Sequence, residues 1–154
     1  MFDLLITNAR LYPMTGEQAV PAAEQTLAVT DGRIVGVGVT GPAHMTLDAK
    51  GRALLPGFID CHTHTLWAGD RLAEHLMRLA GASYQDIARA GGGIRATVAA
   101  TRAASDEQLW VSARERALAL MAEGVTTLEI KSGYGLSAEH EARCLRVARR
   151  LGRE

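Results

Sequence analysis

Two histidines, one residue apart, follow a short apolar run in the first half of the chain. The segment LPGFIDCHTHTLWAGDR runs from Leu55 to Arg71 and places His62 and His64 at its centre. If GFIDCHTH is a β-strand, its side chains alternate between two faces, so Asp60, His62 and His64 share one face. Neutral imidazoles that point into the same space can bind Zn²⁺ or Fe²⁺. The spacing therefore predicts a metal site at His62 and His64.

The spacing alone leaves a second interpretation open, in which the two histidines are a chance pair on a surface strand. Two buried imidazoles without a metal would each need hydrogen-bond partners. The apolar lead-in with Pro56-Gly57 favours a buried strand, and so favours the metal interpretation. A regular strand places Cys61 on the opposite face from the imidazoles, so we do not expect a catalytic thiolate.

The rest of the chain indicates which elements position these histidines. Residues 2 to 50 are predicted to form a small antiparallel sheet with a type I′ hairpin turn at Asp31-Gly32. After residue 50, strand-like runs alternate with helical runs, which is typical of βα units. The predicted elements are helices from about Ser83, over 94 to 103, over 105 to 124 and over 137 to 152, and a buried strand from Val125 to Ile130. Ser105 with Gln108 resembles a capping box.

The composition of the chain excludes several classes of partner. The 154 residues are 47% apolar and 22% charged, which suits a globular protein with a core. Lys plus Arg equals Asp plus Glu at 17 each, so we expect no nucleic-acid or membrane partner. No apolar run approaches the roughly 18 residues of a membrane span, and no secretory signal is evident, so a cytoplasmic location is expected. The two cysteines, Cys61 and Cys144, are predicted to be free thiols.

Three stretches of sequence resemble a known family. LLPGFIDCHTHT resembles the first barrel strand of the amidohydrolase superfamily, metal hydrolases on a distorted (β/α)₈ barrel with a small β-sandwich. WAGDRLAEHLMRLAGASYQDIARAGGGI and EGVTTLEIKSGYGL are similar to the imidazolonepropionase family within it, whose members open an imidazolone ring in histidine degradation. The resemblance implies an α/β fold, with residues 1–50 as the N-terminal part of the β-sandwich domain and residues 51–154 as the first βα units of the barrel.

The resemblance also implies roles for four residues. His62 and His64 match the metal-binding His-x-His of a site that holds one Zn²⁺ or Fe²⁺ per subunit, completed in the family by a later His and a later Asp. Arg71, in GDR, and Tyr134, in SGYG, match substrate-binding positions. A guanidinium offers a forked donor to a carboxylate, and a phenol between glycines can approach a polar substrate closely. Without the resemblance, Arg71 would be read as a solvated charge and Tyr134 as a loop anchor.

The implied activity is metal-assisted hydrolysis of the cyclic amide of 4-imidazolone-5-propanoate to N-formimino-L-glutamate. A (β/α)₈ barrel needs about 250 residues, so we expect these 154 residues to be an N-terminal portion that is inactive alone, with proton-transfer residues beyond Glu154. Two alternatives stay open: another amidohydrolase, of the dihydroorotase or nucleobase deaminase type, and a non-catalytic module. Homo-oligomerisation that covers an open sheet edge is also left open.

Overall fold

The protein is described by a computed structural model over residues 1–15 and 24–153, and it divides into two compact units. The first unit is Met1–Pro56 and the second is Gly57–Glu154. The division between residues 50 and 51 that the sequence suggests stays a prediction. Within the described ranges, no helix has the length and apolar character required to cross a membrane.

The first unit is a small mixed sheet. Its strands are β1 (Phe2–Leu11), β2 (Gln25–Thr30), β3 (Arg33–Val37), β4 (Ala43–Asp48) and β5 (Ala53–Leu54), in the order β3-β2-β1-β4, with β5 also paired to β1. The hairpin prediction is confirmed: β2 and β3 are antiparallel, and Asp31 and Gly32 have φ values of 49° and 68°, as a type I′ turn requires. Leu5, Ala9 and Ala28 are buried in this sheet.

The prediction of an antiparallel sheet is wrong for the two strands that follow β3. β1 pairs antiparallel with β2, but it pairs parallel with β4 and with β5. Alternation of apolar and polar residues fixes which face a side chain takes and carries no information on strand direction. The chain passes from β3, at one edge of the sheet, to the far side of β1, and a strand that returns in this way can enter in either direction.

Over residues 57–153, the second unit combines two parallel strands with five helices. Its elements are β6 (Phe58–Thr63), α1 (Leu72–Leu79), α2 (Tyr84–Arg89), α3 (Ile94–Ala103), α4 (Asp106–Ala122), β7 (Val125–Ile130) and α5 (Ala138–Leu151). β6 pairs parallel with β7. The helices predicted from the sequence are therefore confirmed, and α1 is an additional helix directly after the His-x-His segment.

The core of the second unit lies under α4 and α5. Leu109 and Ala113 of α4 are completely buried and form a cluster with Leu66, Cys144 and Val147. α4 begins with the predicted capping box: the Ser105 hydroxyl accepts from the Gln108 backbone N–H at 3.2 Å, and the Gln108 side chain accepts from the Ser105 N–H at 2.8 Å. This core fixes the position of α4, which packs beside β7, and of the segment after His64, which contributes Leu66.

We expect Ser105→Ala to lower the stability of the folded chain by about 0.5–2 kcal/mol, because it leaves an N-terminal N–H of α4 without its acceptor. Thermal or urea unfolding measures this change. Ser112→Ala is the matched control, since Ser112 lies inside α4, where alanine is the better helix former. Equal stability of the two variants would contradict the role of the cap.

Candidate active site

The two histidines meet at the carboxyl end of β6. The strand ends at Thr63, and His64 is the first residue beyond it. The ring centroids of His62 and His64 are 5.3 Å apart, with the ring planes at 72°. The pairing of β6 with β7 is irregular between Asp60 and Thr63, so the regular alternation assumed from the sequence does not run through this segment, yet the rings are adjacent.

Both imidazoles are exposed, which differs from the expectation of a buried pair. The apolar run before them is also exposed, with Phe58 at 53% and Ile59 at 71% of full accessibility. The reason is that β6 pairs only with β7 within the described ranges. The two exposed rings therefore do not need hydrogen-bond partners within the protein, as a buried pair would.

Hydrogen bonds tie the end of β6 to the end of β7. The Lys131 N–H donates to the Thr63 carbonyl at 2.8 Å, and the Thr63 hydroxyl donates to the Glu129 carbonyl at 2.6 Å. Because that bond uses the single hydroxyl hydrogen of Thr63, the Thr65 hydroxyl must be the donor in its 2.7 Å contact with Thr63. These bonds hold the residue between the two histidines against the neighbouring strand.

Tyr134 lies beside His64 in the loop that follows β7. The two ring centroids are 5.7 Å apart, with the planes at 64°. A Cβ on Gly133 would lie 2.8 Å from His64 Cε1 and 2.9 Å from Nδ1, so a larger residue here would require the His64 ring to move. The loop therefore brings Tyr134 beside His64, and the His64 ring contacts both the His62 ring and the Tyr134 ring.

A carboxylate from α5 holds this loop in place. Glu141 accepts from the backbone N–H groups of Gly135 at 2.9 Å and Leu136 at 2.6 Å. From the other side, Arg102 Nε donates to the Gly135 carbonyl at 2.7 Å. Burial raises the pKa of the Glu141 carboxyl, but the hydrogen bonds that it accepts, chiefly from the Leu136 backbone N–H, outweigh this effect and lower the pKa overall.

The lowered pKa of Glu141 predicts a loss of stability in acid. A carboxyl whose pKa is lower in the folded state stabilises the fold above its unfolded pKa, near 4.5. That contribution falls away as the pH drops from about 4.5 through the folded value. Urea unfolding between pH 7 and pH 3 should therefore show a midpoint that falls below about pH 4.5, and Glu141→Gln should weaken this dependence.

The matched control for this pH dependence is Glu139→Gln, because Glu139 is an exposed carboxylate in the first turn of the same helix. It should leave the acid dependence close to that of the parent chain. An unchanged pH dependence in Glu141→Gln would contradict the assigned role.

Arg116 of α4 fixes the segment that follows His64. Its Nη1 donates to the carbonyls of Thr65 and Trp67, both at 3.0 Å. The guanidinium carbon lies 3.6 Å from the centroid of the Trp67 ring, in a cation–π contact. Burial lowers the pKa of Arg116. The chain direction after the His-x-His motif is thus set by a side chain of α4.

Arg71 is the residue directly before α1 and makes an ion pair with Glu74, in the first turn of the helix. Its Nε and Nη2 lie 2.8 and 2.6 Å from the same oxygen, Glu74 Oε2. This hydrogen bond raises the pKa of the Arg71 guanidinium and lowers that of the Glu74 carboxyl.

A second ion pair lies at the end of β7. Lys131 Nζ is 2.7 Å from Glu129 Oε1, and both side chains are about half exposed. The hydrogen bond from Lys131 lowers the pKa of Glu129. Lys131 is therefore engaged with Glu129 rather than with the histidines.

The structure brings His62, His64 and Tyr134 together and leaves Arg71 in a neighbouring pair with Glu74. No group of three His, Cys, Asp or Glu residues in the described ranges is arranged to hold a metal ion. Sequence reasoning missed Glu74, although its i+3 spacing from Arg71 in a helical stretch is a contact signal. It also missed Glu141, whose contact with the loop has no comparable local signature.

Most of the second unit, including β6, β7 and the His-x-His motif, lies within the match to one protein family. Residues 45–132 match the amidohydrolase family, which is more than half of the chain, and the chain belongs to this family. The atrazine chlorohydrolase of Arthrobacter aurescens TC1, solved as a mutant with zinc and atraton, has the same fold with a TM-score of 0.57. It is 20% identical, over 97% of this chain and 34% of that one.

Curated relatives within the family are more similar in sequence. The imidazolonepropionase of Stenotrophomonas maltophilia (strain R551-3) is 52% identical over 97% of this chain and 38% of its own length. The imidazolonepropionase of Methylobacterium nodulans is 56% identical over 99% of this chain and 40% of its own length. The chain thus spans about two fifths of the length of these relatives.

Proposed function

We propose that the protein carrying this chain hydrolyses the cyclic amide of 4-imidazolone-5-propanoate to N-formimino-L-glutamate, a step of histidine degradation. The observation that carries the proposal is the identity of 52% and 56% to two imidazolonepropionases over nearly the whole chain. In this reaction water adds to the ring carbonyl carbon, the ring C–N bond breaks and the released nitrogen takes up a proton.

His62 and His64 are the proposed protein ligands of one Zn²⁺ or Fe²⁺ per subunit. Their adjacent, exposed rings at the end of a parallel strand suit such an ion, since imidazole is a preferred ligand of both metals. When bound, the metal supplies a Lewis acid for the ring carbonyl and a water of lowered pKa. Catalytic zinc sites normally have three protein ligands, so the proposal requires at least one ligand from outside the described residues.

Arg71 and Tyr134 are the proposed substrate-binding residues. The Arg71 guanidinium would donate a charge-assisted hydrogen bond to the propionate carboxylate. The Tyr134 phenol lies next to His64, where it could hydrogen-bond a polar atom of the imidazolone ring. The residue that protonates the released nitrogen is proposed to lie outside the described ranges, as the family resemblance implies for an aspartate.

The two units are proposed to be parts of the superfamily architecture. β6, β7 and their helices would be the first βα units of a (β/α)₈ barrel, and the mixed sheet β1–β5 would be part of the small β-sandwich. An apolar groove of about 750 Å³ along β7, between α4 and α5, supports the barrel, because a further βα unit would pack there. Oligomeric state stays a prediction, which a mass measurement in solution tests.

The test of the proposed function is a substrate panel with the full-length, metal-loaded protein. We expect turnover of 4-imidazolone-5-propanoate to exceed that of dihydroorotate, cytosine and adenine. Dominant turnover of dihydroorotate or of a nucleobase would assign the chain to another amidohydrolase activity. Metal binding without turnover of any compound would support the non-catalytic alternative.

A further inference from the structure

A buried carboxylate in the first turn of α1 joins two separate segments of the second unit. Glu74 is only 8% exposed. Its Oε2 accepts from Arg71 Nε and Nη2, and its Oε1 accepts from the Gly93 backbone N–H at 2.8 Å. A buried carboxylate is costly unless it is paired and hydrogen-bonded, and both of its oxygens are engaged here.

The segment between α2 and α3 is shaped around this carboxylate. A Cβ on Gly92 would lie 2.9 Å from Glu74 Cδ and 2.8 Å from Ile87 Cγ2. Gly93 has a φ of 79° and is itself buried, a conformation that favours glycine. Glycine is therefore required in this segment, because a side chain at Gly92 would prevent the backbone from approaching the Glu74 carboxylate.

The ion pair fixes which edge of the Arg71 guanidinium remains available. Arginine has five N–H groups in a planar fork, and Glu74 accepts from Nε and from one hydrogen of Nη2. The outer edge of the fork, formed by Nη1 and the second Nη2 hydrogen, can still donate two parallel bonds to another carboxylate. The Arg71 side chain is 41% exposed, whereas that of Glu74 is 11% exposed. The anchor is therefore buried and the guanidinium is reachable.

We propose that Glu74 is a positioning residue that holds Arg71 with the outer edge of its guanidinium toward the carboxylate of the substrate. This inference rests on the proposed role of Arg71. A free arginine side chain must be ordered when a ligand binds, and ordering one long side chain weakens binding about two- to twelvefold. Glu74 orders the Arg71 side chain before a ligand binds, and the hydrogen bond from the Gly93 N–H holds Glu74 itself in place.

The alternative is that Glu74 only stabilises α1 and the glycine run. Two features separate the alternatives. A positioning role depends on Arg71 and on a carboxylate in the ligand, whereas a purely structural role depends on neither.

A double-mutant cycle on the full-length, metal-loaded protein tests the inference, with KM and kcat measured for 4-imidazolone-5-propanoate and for its propionamide analogue. We expect Glu74→Gln to raise KM for the propanoate about two- to twelvefold with kcat little changed. It should have little effect on KM for the propionamide, and no further effect in the Arg71→Met background.

Equal losses for the two substrates, or an undiminished Glu74→Gln effect in the Arg71→Met background, would overturn the inference. A loss in Arg71→Met without one in Glu74→Gln would overturn the positioning role alone. An unchanged KM in Arg71→Met would overturn the proposed role of Arg71 and this inference with it. If Glu74→Gln does not fold, Glu74→Asp carries the same expectation, because its shorter side chain cannot reach Arg71 and Gly93 together.

Discussion

Replacing His62 with alanine is expected to leave the full-length protein with little bound metal. The physical reason is the position of its ring, 5.3 Å from that of His64 at the end of β6, where the two imidazoles can converge on one ion. Loss of a residue that only supports a metal ligand typically weakens metal affinity by 10–100-fold. Loss of a ligand itself should cost at least about 100-fold.

The measurement for His62 is metal content after dialysis against a weak chelator, with circular dichroism as a check on folding. His44→Ala is the matched control, because His44 lies on β4 in the first unit and is exposed. The control should retain the metal of the parent protein. Stoichiometric metal in the His62 variant would remove His62 from the site.

Arg71→Met is expected to weaken substrate binding by about 10- to 150-fold. A hydrogen bond to a charged group contributes about 1.5–3 kcal/mol, and about 1.4 kcal/mol corresponds to a factor of ten. Methionine keeps the length and apolar contacts of the side chain and removes every N–H donor. Calorimetric binding of a propionate-bearing, non-hydrolysed analogue gives the affinity directly.

Arg89→Met is a matched control for this measurement. Arg89 also has an i,i+3 carboxylate partner, Asp86 at 3.4 Å, but its side chain is 77% exposed and pairs at the surface of α2. It should bind the analogue as the parent does. An Arg71 variant with unchanged affinity would mean that other groups hold the carboxylate.

Local features of the fold could be predicted because the interactions that cause them lie close together in the sequence. The Ser105–Gln108 capping box and the Asp31-Gly32 turn each depend on four residues or fewer, and both are confirmed. The parallel pairing of β1 with β4 could not be predicted, since strand direction depends on how the chain crosses the sheet.

The residues of the candidate site could be predicted from the sequence, but the tertiary contacts that hold them in place could not. The two-residue spacing of His62 and His64 predicted their proximity, and the rings are adjacent although the strand register is irregular between Asp60 and Thr63. The contact between the Glu141 carboxylate and the Tyr134 loop depends on how α5 packs after β7. No local sequence pattern specifies such a tertiary contact.

The most direct test of the account is hydrolysis of 4-imidazolone-5-propanoate in ¹⁸O-labelled water by the full-length, metal-loaded protein, followed by mass spectrometry. Opening the cyclic amide places one oxygen from water in the newly formed carboxylate. We expect N-formimino-L-glutamate with one ¹⁸O, formed at a rate that falls in the His62→Ala variant. Product without the label, or labelled product formed equally fast by that variant, would contradict it.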